Sequence, residues 1–392
     1  MPIILTGLQV LIPAVLVAAG LGIFLATEDL SRVSYEQTTA GPALATSTAL
    51  AATTSSPAPP AWPAVLDRVA YDQRLLALAD YDPPPVGTST ATGSAAMVGY
   101  DPLPSQLVYS SSTNVLVPGR DWPAAAPYPH GGAILPFQRI VAYYGNFYST
   151  RMGILGELPP AQVLAQLAST SAAWESADPD TPVLPAIHYI AMVAQGEAGA
   201  DGMYRAMMPD EHIEQAYDMA QEIDGILFID LQVGYSSLSV ELPKFREFLT
   251  RPDVHLAIDP EFAMSPGNPP GTVIGSFSAA EINDAIQYLD AIVTEYELPP
   301  KVLVVHRFTQ NMVGTPSAIE PTPNVQVVIH MDGWGSRELK RSTYRRVVEP
   351  DPVQFAGLKI FYKNDRKPPS TGIFSPAEAL ELHPEPIYIQ YQ

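Results

Sequence analysis

From about residue 132 onward, short apolar runs alternate with helix-like segments, and the runs count to eight. The first lies at 139–144 and precedes a helical stretch at 159–176 that Pro159-Pro160 opens. Runs at 183–190, 225–232, 254–259, 301–306, 325–331, 357–362 and 386–390 follow. Helical patterns fill most of the gaps, at 210–223, 238–249 and 338–348 and from residues 278 and 375 onward. The long one after the fourth run begins with Ser278-Ala-Ala-Glu281, a capping box. Several runs are near-continuous Val, Ile and Leu, as parallel strands covered on both faces require. Roughly 260 residues for eight such units is close to the ~250 of a (β/α)8 barrel. A doubly wound open sheet is the competitor, but no Gly-rich phosphate loop follows the first run. The expected fold is α/β, a (β/α)8 TIM-like barrel. The 308–324 connection is its irregular member, without a helical pattern.

Ahead of the barrel the texture differs. Residues 3–26 are apolar except for Thr6 and Gln9, with Pro13 as a kink point. About 24 residues at ~1.5 Å each span the ~30 Å hydrocarbon core, and signal-peptide apolar regions are shorter, roughly 7–15 residues. The expectation is a retained transmembrane anchor over 1–28. An Ala/Pro/Thr/Ser-rich linker follows over 29–64, including Thr-Thr-Ser-Ser-Pro-Ala-Pro-Pro at 53–60, too poor in apolar surface to fold and read as a disordered stalk. Residues 65–131 read as an irregular arm with one short amphipathic helix at 65–79, and 132–392 as the barrel. No Lys or Arg precedes the span, so orientation rests on the stalk, which favours a barrel outside the cytoplasm.

Composition narrows the partners. The chain carries 41 Asp+Glu against 21 Lys+Arg, a net charge of -20, which repels phosphate backbones and argues against nucleic acid. The absence of cysteine excludes disulfides, thiolate metal sites and a cysteine nucleophile.

In a barrel of this kind, chemistry sits at the C-terminal strand ends. Those ends carry Tyr144 and Asn146, His188, Asp230 with Gln232, Asp259 with Glu261, His306, Asp332 with Trp334, Lys363 with Asp365, and Gln390, whereas the strand starts are comparatively apolar. Asp259 and Glu261, two apart on one strand, point the same way about 6.5 Å apart at Cα. Two carboxyls that close raise one pKa and supply an acid and a base at one pH; an ion-pair or capping role for the pair is the alternative. Asp230 and Gln232 repeat the spacing on the neighbouring strand. His188 and His306 are read as orienting carboxylates, binding hydroxyls or sitting satisfied in the core, and Trp334 as a sugar platform or as packing. Lys363 suits a Schiff base, though Asp365 beside it suggests an ion pair. His, Asp and Glu together make a metal possible, but no His-x-x-x-His or His-x-His spacing occurs at these ends, so the signal is weak and no metal or other cofactor is expected. The Gly-rich segment 196–205 is a lid candidate, and 145–156 a second.

The phrases Leu227-Phe-Ile-Asp-Leu-Gln232, Leu256-Ala-Ile-Asp-Pro-Glu261, Val304-Val-His306 and Met331-Asp-Gly333 resemble a family of uncharacterised membrane-anchored or secreted bacterial envelope proteins, over about residues 138–392. More distantly, Asp-x-Glu at the fourth strand resembles glycoside hydrolases of the chitinase and N-acetylmuramidase types. That resemblance implies Glu261 as proton donor and Asp259 as helper. The chain departs from chitinases, whose motif is longer and Asp-rich, because the stretch from Asp224 through Asp230 ends in Gln232. The expected function is an extracytoplasmic glycoside hydrolase acting on an envelope or environmental glycan, with Glu261, Asp259 and Asp230 as catalytic carboxyls. The alternatives are a non-catalytic glycan-binding or surface-structural barrel, and a lyase or aldolase working through Lys363. The expected partners are carbohydrate and, through the N-terminal helix, the membrane.

Overall fold

The computed structural model describes residues 65–81, 117 and 119–392. The anchor expected over 1–28 and the stalk over 29–64 lie outside them. Among the described residues no helix is long and apolar enough to cross a membrane.

Eight parallel strands close into a barrel: β1 (Arg139–Gly145), β2 (Val183–Ala194), β3 (Ile226–Leu231), β4 (Val254–Ile258), β5 (Lys301–Arg307), β6 (Val325–Met331), β7 (Phe355–Ile360) and β8 (Tyr388–Tyr391). Each pairs with its chain neighbours, and β8 returns to β1 through Ile140↔Tyr388 and Tyr143↔Tyr391. Closure leaves no unpaired edge in the barrel. The expected TIM-like α/β barrel is the observed one, and β7 starts two residues earlier than the pattern suggested.

Among the described residues, the helices of five residues or more are α1 (Arg68–Leu78), α2 (Pro160–Ala177), α3 (Asp210–Gln221), α4 (Ala279–Tyr296), α5 (Arg337–Val347) and the short α6 (Pro376–Leu380). The capping box forms at α4: the Ser278 hydroxyl accepts from Glu281 N and the Glu281 carboxylate from Ser278 N. The helix expected at 238–249 breaks into three single turns, with Pro243 inside the middle one, Leu242–Phe245. The 308–324 connection holds two 3-10 turns and no α-helix, as its pattern implied.

Two cores follow from strand alternation. Outward residues such as Val141, Ile187, Ile229 and Val305 pack with Leu167 and Trp174 of α2, Ile213 of α3 and Ile286 of α4. Inward residues Ile140, Ala142, Ala186, Phe228, Val304 and Val328 fill the lower barrel. Tyr71, Leu75 and Leu78 of α1 join that inner cluster with Tyr128 and Leu135, so the segment before β1 closes the N-terminal end. Each fully buried large side chain there contributes about 1.5–3 kcal/mol. The strand starts are less apolar than expected: Arg139, Lys301 and His255 are buried there, and Lys301 Nζ donates to the Val254 carbonyl at 2.8 Å.

Candidate functional site

Above the apolar floor, the next inward residues toward the strand ends are Tyr144, His188, Asp230, His306, His330, Lys359 and Gln390. None is more than 3% exposed. Gly357 makes the room this layer needs: a Cβ there would meet His330 Cδ2 at 2.9 Å and the Tyr388 carbonyl at 3.1 Å.

Asp230 sits between two imidazoles. Its Oδ2 lies 3.3 Å from His188 Nε2 and 3.4 Å from His306 Nε2. Both approaches are poorly aligned for a hydrogen bond, and neither Nε2 atom nor either Asp230 oxygen has a well-aligned one. On their far sides the rings are engaged. His306 Nδ1 is 3.1 Å from Asp332 Oδ2 and 3.3 Å from His330 Nδ1. His188 Nδ1 is 2.6 Å from the Tyr388 hydroxyl and 3.1 Å from Gln390 Nε2. Burial opposes a charge on His306, but the Asp230 and Asp332 carboxylates outweigh it and lift the imidazole to about 10. At His188 burial wins, and the pKa falls to about 4. Burial would raise Asp230, yet His306 and His188 hold it well below the carboxylate range. Burial keeps the Tyr144 phenol protonated, with the Asp230 charge adding to it.

The second group of carboxyls stands at the exit of β4. Asp259 is 3% exposed, and its Oδ1 accepts from Glu261 N at 3.1 Å while its Oδ2 accepts from Gln232 Nε2 at 3.2 Å. Gln232 is itself fixed, its Oε1 accepting from Ala194 N at 3.1 Å. Asp259 therefore caps the 3-10 turn Pro260–Phe262, which leaves Glu261 half-buried at the mouth. Burial raises Asp259 to about 7, with His306 and Lys359 opposing and Asp332 and Asp230 adding. Burial, then the Asp259 charge, pushes Glu261 well above the usual range.

The lysine of the site is Lys359, not Lys363. Lys359 Nζ lies 3.7 Å from the centre of the Tyr144 ring, and burial depresses its pKa against the pull of Asp332 and Asp259. Lys363 points outward, with 70% of its side chain exposed, and pairs with Glu157 at 2.6 Å. Asp365 is a structural residue. It is wholly buried against Lys340 at 3.0 Å and accepts from Gly335 N and Phe361 N, each at 2.8 Å. Asn146 is structural as well: its Nδ2 donates to the Ile190 carbonyl at 3.0 Å, and its Oδ1 accepts from Tyr148 N at 2.9 Å. Trp334 is half-buried, with Lys367 Nζ 5.5 Å from its ring centre. The structure thus gathers Tyr144, His188, Asp230, Gln232, Asp259, Glu261, His306, Asp332 and Gln390, and leaves Asn146, Lys363 and Asp365 outside. It adds His330 and Lys359, each a polar residue inside an apolar strand and so inward-facing once the strand's parity is set.

The Gly-rich segment 196–205 is tied down. Arg205–Met207 pairs antiparallel with the end of β2, Tyr235 N donates to the Met203 carbonyl at 2.8 Å, and Arg205 bridges Glu241 at 2.8 Å and Asp201 at 2.6 Å.

Among the described residues, His188, Asp230 and His306 offer one ligand atom each within 4.8 Å of one another, a donor set suited to a metal ion. They come from β2, β3 and β5, so no close His spacing in the sequence announces them. No protein-family model matches the chain, and no curated protein matches it in sequence.

Proposed function

We propose that the mouth of the barrel is an acid–base site that hydrolyses glycosidic bonds, with Glu261 as the acid and Asp259 as its carboxylate partner. One observation carries the reading: burial pushes Glu261 and Asp259 up, the Asp259 charge adding at Glu261 and the Asp332 and Asp230 charges adding at Asp259, while the two imidazoles push Asp230 down. Carboxyls driven apart in this way divide acid and base roles between them at one pH. Glu261, half-buried at the mouth, gives its proton to the leaving glycosidic oxygen. Asp259 takes a proton from the attacking water, so the elements of water add across the broken C–O bond. Asp230 is wholly buried between His188 and His306 and serves the site's charge balance rather than attacking the sugar.

In this reading the barrel lies outside the cytoplasm, held by residues 3–26 on the 29–64 stalk, with an envelope or environmental glycan as substrate. Protease applied to intact cells then releases a soluble fragment cut within the stalk; protection of the whole chain overturns that placement. The cap at Asp259 favours a second reading. A carboxylate fixed by two donors is a ready acceptor for sugar hydroxyls, which suits binding without cleavage. Binding and product formation measured on one panel of envelope glycans separate the two. Turnover that disappears in Glu261→Gln supports the hydrolase, and wild-type binding without turnover across the panel supports the binder.

A further inference from the structure

The geometry points to a metal centre: His188, Asp230 and His306 are three protein ligands to one divalent first-row transition-metal ion, of the zinc, iron, cobalt or manganese class. The inference does not rest on the acid–base reading, because it concerns a deeper layer of the barrel than Glu261.

The spacing is the first argument. Metal–nitrogen and metal–oxygen bonds of about 2.0–2.2 Å set neighbouring ligands around one ion roughly 3.0–3.4 Å apart. Asp230 Oδ2 lies 3.3 Å and 3.4 Å from the two Nε2 atoms. A charged imidazolium–carboxylate hydrogen bond is shorter, about 2.7–2.9 Å, and points its N–H at the oxygen. Here that alignment is missing at both contacts.

The second argument is satisfaction. Four buried polar atoms of these three residues have no well-aligned hydrogen bond: His188 Nε2, His306 Nε2 and the two Asp230 oxygens, of which Oδ2 faces both rings. Each such group costs about 1–3 kcal/mol, and more for a charge. One cation engages both rings and the carboxylate at once. Two imidazoles with one carboxylate, in a chain without cysteine, select a borderline ion over calcium or magnesium.

The third argument is the outer shell. Metal-bound histidines donate their other N–H to a carboxylate or another oxygen, which fixes the tautomer. His306 has Asp332 Oδ2 at 3.1 Å from Nδ1, and His188 has the Tyr388 hydroxyl at 2.6 Å. Both rings can therefore carry the proton on Nδ1 and present Nε2 to the ion. Turning the Gln390 amide over brings its otherwise unpartnered Oε1 to the same Tyr388–His188 pair.

The competing arrangement needs no metal: a charged His306 between Asp230 and Asp332. The test uses the full-length chain, stripped with a chelator, dialysed, and titrated with Zn2+, Mn2+, Fe2+ and Co2+ separately, with no glycan present. Bound metal per chain, the visible spectrum of the Co2+ form and the thermal midpoint are read together. The expected result is one equivalent of at least one of these ions and a rise in midpoint of roughly 5 °C or more at saturating metal. His306→Gln and His188→Gln should each abolish stoichiometric binding. Asp332→Asn should keep the stoichiometry while weakening affinity about 10–100-fold. Wild-type chain that takes up none of the four ions overturns the proposal without reference to any variant's folding. So does unchanged uptake in both histidine variants.

Discussion

The Glu261 backbone N–H donates to the Asp259 carboxylate at 3.1 Å, so the residue that caps the turn also sets the charge next to the acid it positions. The Asp259 charge, added to burial, holds the Glu261 carboxyl well above its usual range.

The first consequence is a bell-shaped pH–rate profile. Asp259 works as the base only when ionised, so the acid limb falls near its pKa of about 7. Glu261 works as the acid only when protonated, and its raised pKa sets the alkaline limb. Asp259→Asn removes the base and so lowers kcat; in the activity that remains, the alkaline limb should move to lower pH and the acid limb disappear, because the charge that helps raise Glu261 is gone. Glu261→Gln should lower kcat by about 10²–10⁴-fold with substrate binding retained. Rates across pH 4–10 for wild type and both variants check this; an alkaline limb that stays in place in Asp259→Asn rejects the coupling.

Stability should run the other way from activity. Asp259 ionises near its ordinary value of about 4 in the unfolded chain but near 7 in the fold. Between those values the native state binds more protons than the unfolded state, so stability falls as pH rises from about 4 to 7. Asp259→Asn removes that ionisation and keeps an acceptor for Glu261 N, but loses at every pH the bond from Gln232 Nε2, which then faces the new amide. Its stability relative to wild type should therefore be higher at pH 7.5 than at pH 4. Denaturant midpoints at the two pH values decide it, and a wild-type-to-variant difference that is the same at both refutes the reading.

Lys359 and Lys363 should behave differently. Lys359 is buried over the Tyr144 ring, and its charge lowers both Asp259 and Glu261. Lys359→Met should raise both carboxyls further and move the acid limb to higher pH. Lys363→Ala removes an exposed ion pair with Glu157, worth about 1 kcal/mol or less, and should leave the profile in place. A profile that responds to Lys363→Ala and not to Lys359→Met would contradict the assignment.

The barrel was legible because its signals are local: β-branched runs of strand length, Pro159-Pro160 ahead of α2, and the Ser278–Glu281 box at α4. The ring of polar strand ends was legible for the same reason. Lys359 escapes the sequence pattern because the seventh run reads as 357–362 rather than Phe355–Ile360. A two-residue shift leaves the parity unchanged, with Phe355, Gly357 and Lys359 on one face under either start, but it carries the strand end from Ile360 to Tyr362 and so points to Lys363 instead of the inward Lys359. The His188–Asp230–His306 set was missed because its members are 42 and 76 residues apart and meet only when the barrel closes. Asp365 was misjudged because its partner, Lys340, lies on α5, which the strand-end pattern does not describe.

The last expectation concerns the closed end. Tyr71 of α1 is wholly buried, with ring centres of Tyr128 at 5.8 Å and Phe137 at 6.1 Å in edge-on contact. It belongs to the same cluster as Ile140, Phe228 and Val328, so the helix that precedes the barrel supplies part of the barrel's own core. Removing a large aromatic side chain from such a site costs the lost transfer energy plus a cavity, about 3–5 kcal/mol. For a domain of this size that is a fall in thermal midpoint of roughly 10 °C. Tyr71→Phe keeps the ring and should retain most of the stability. Metal uptake and the pH of the activity limbs should be unchanged in Tyr71→Phe, since both depend on the opposite end of the barrel. If Tyr71→Ala melts with wild type, α1 is not part of the barrel's folding unit.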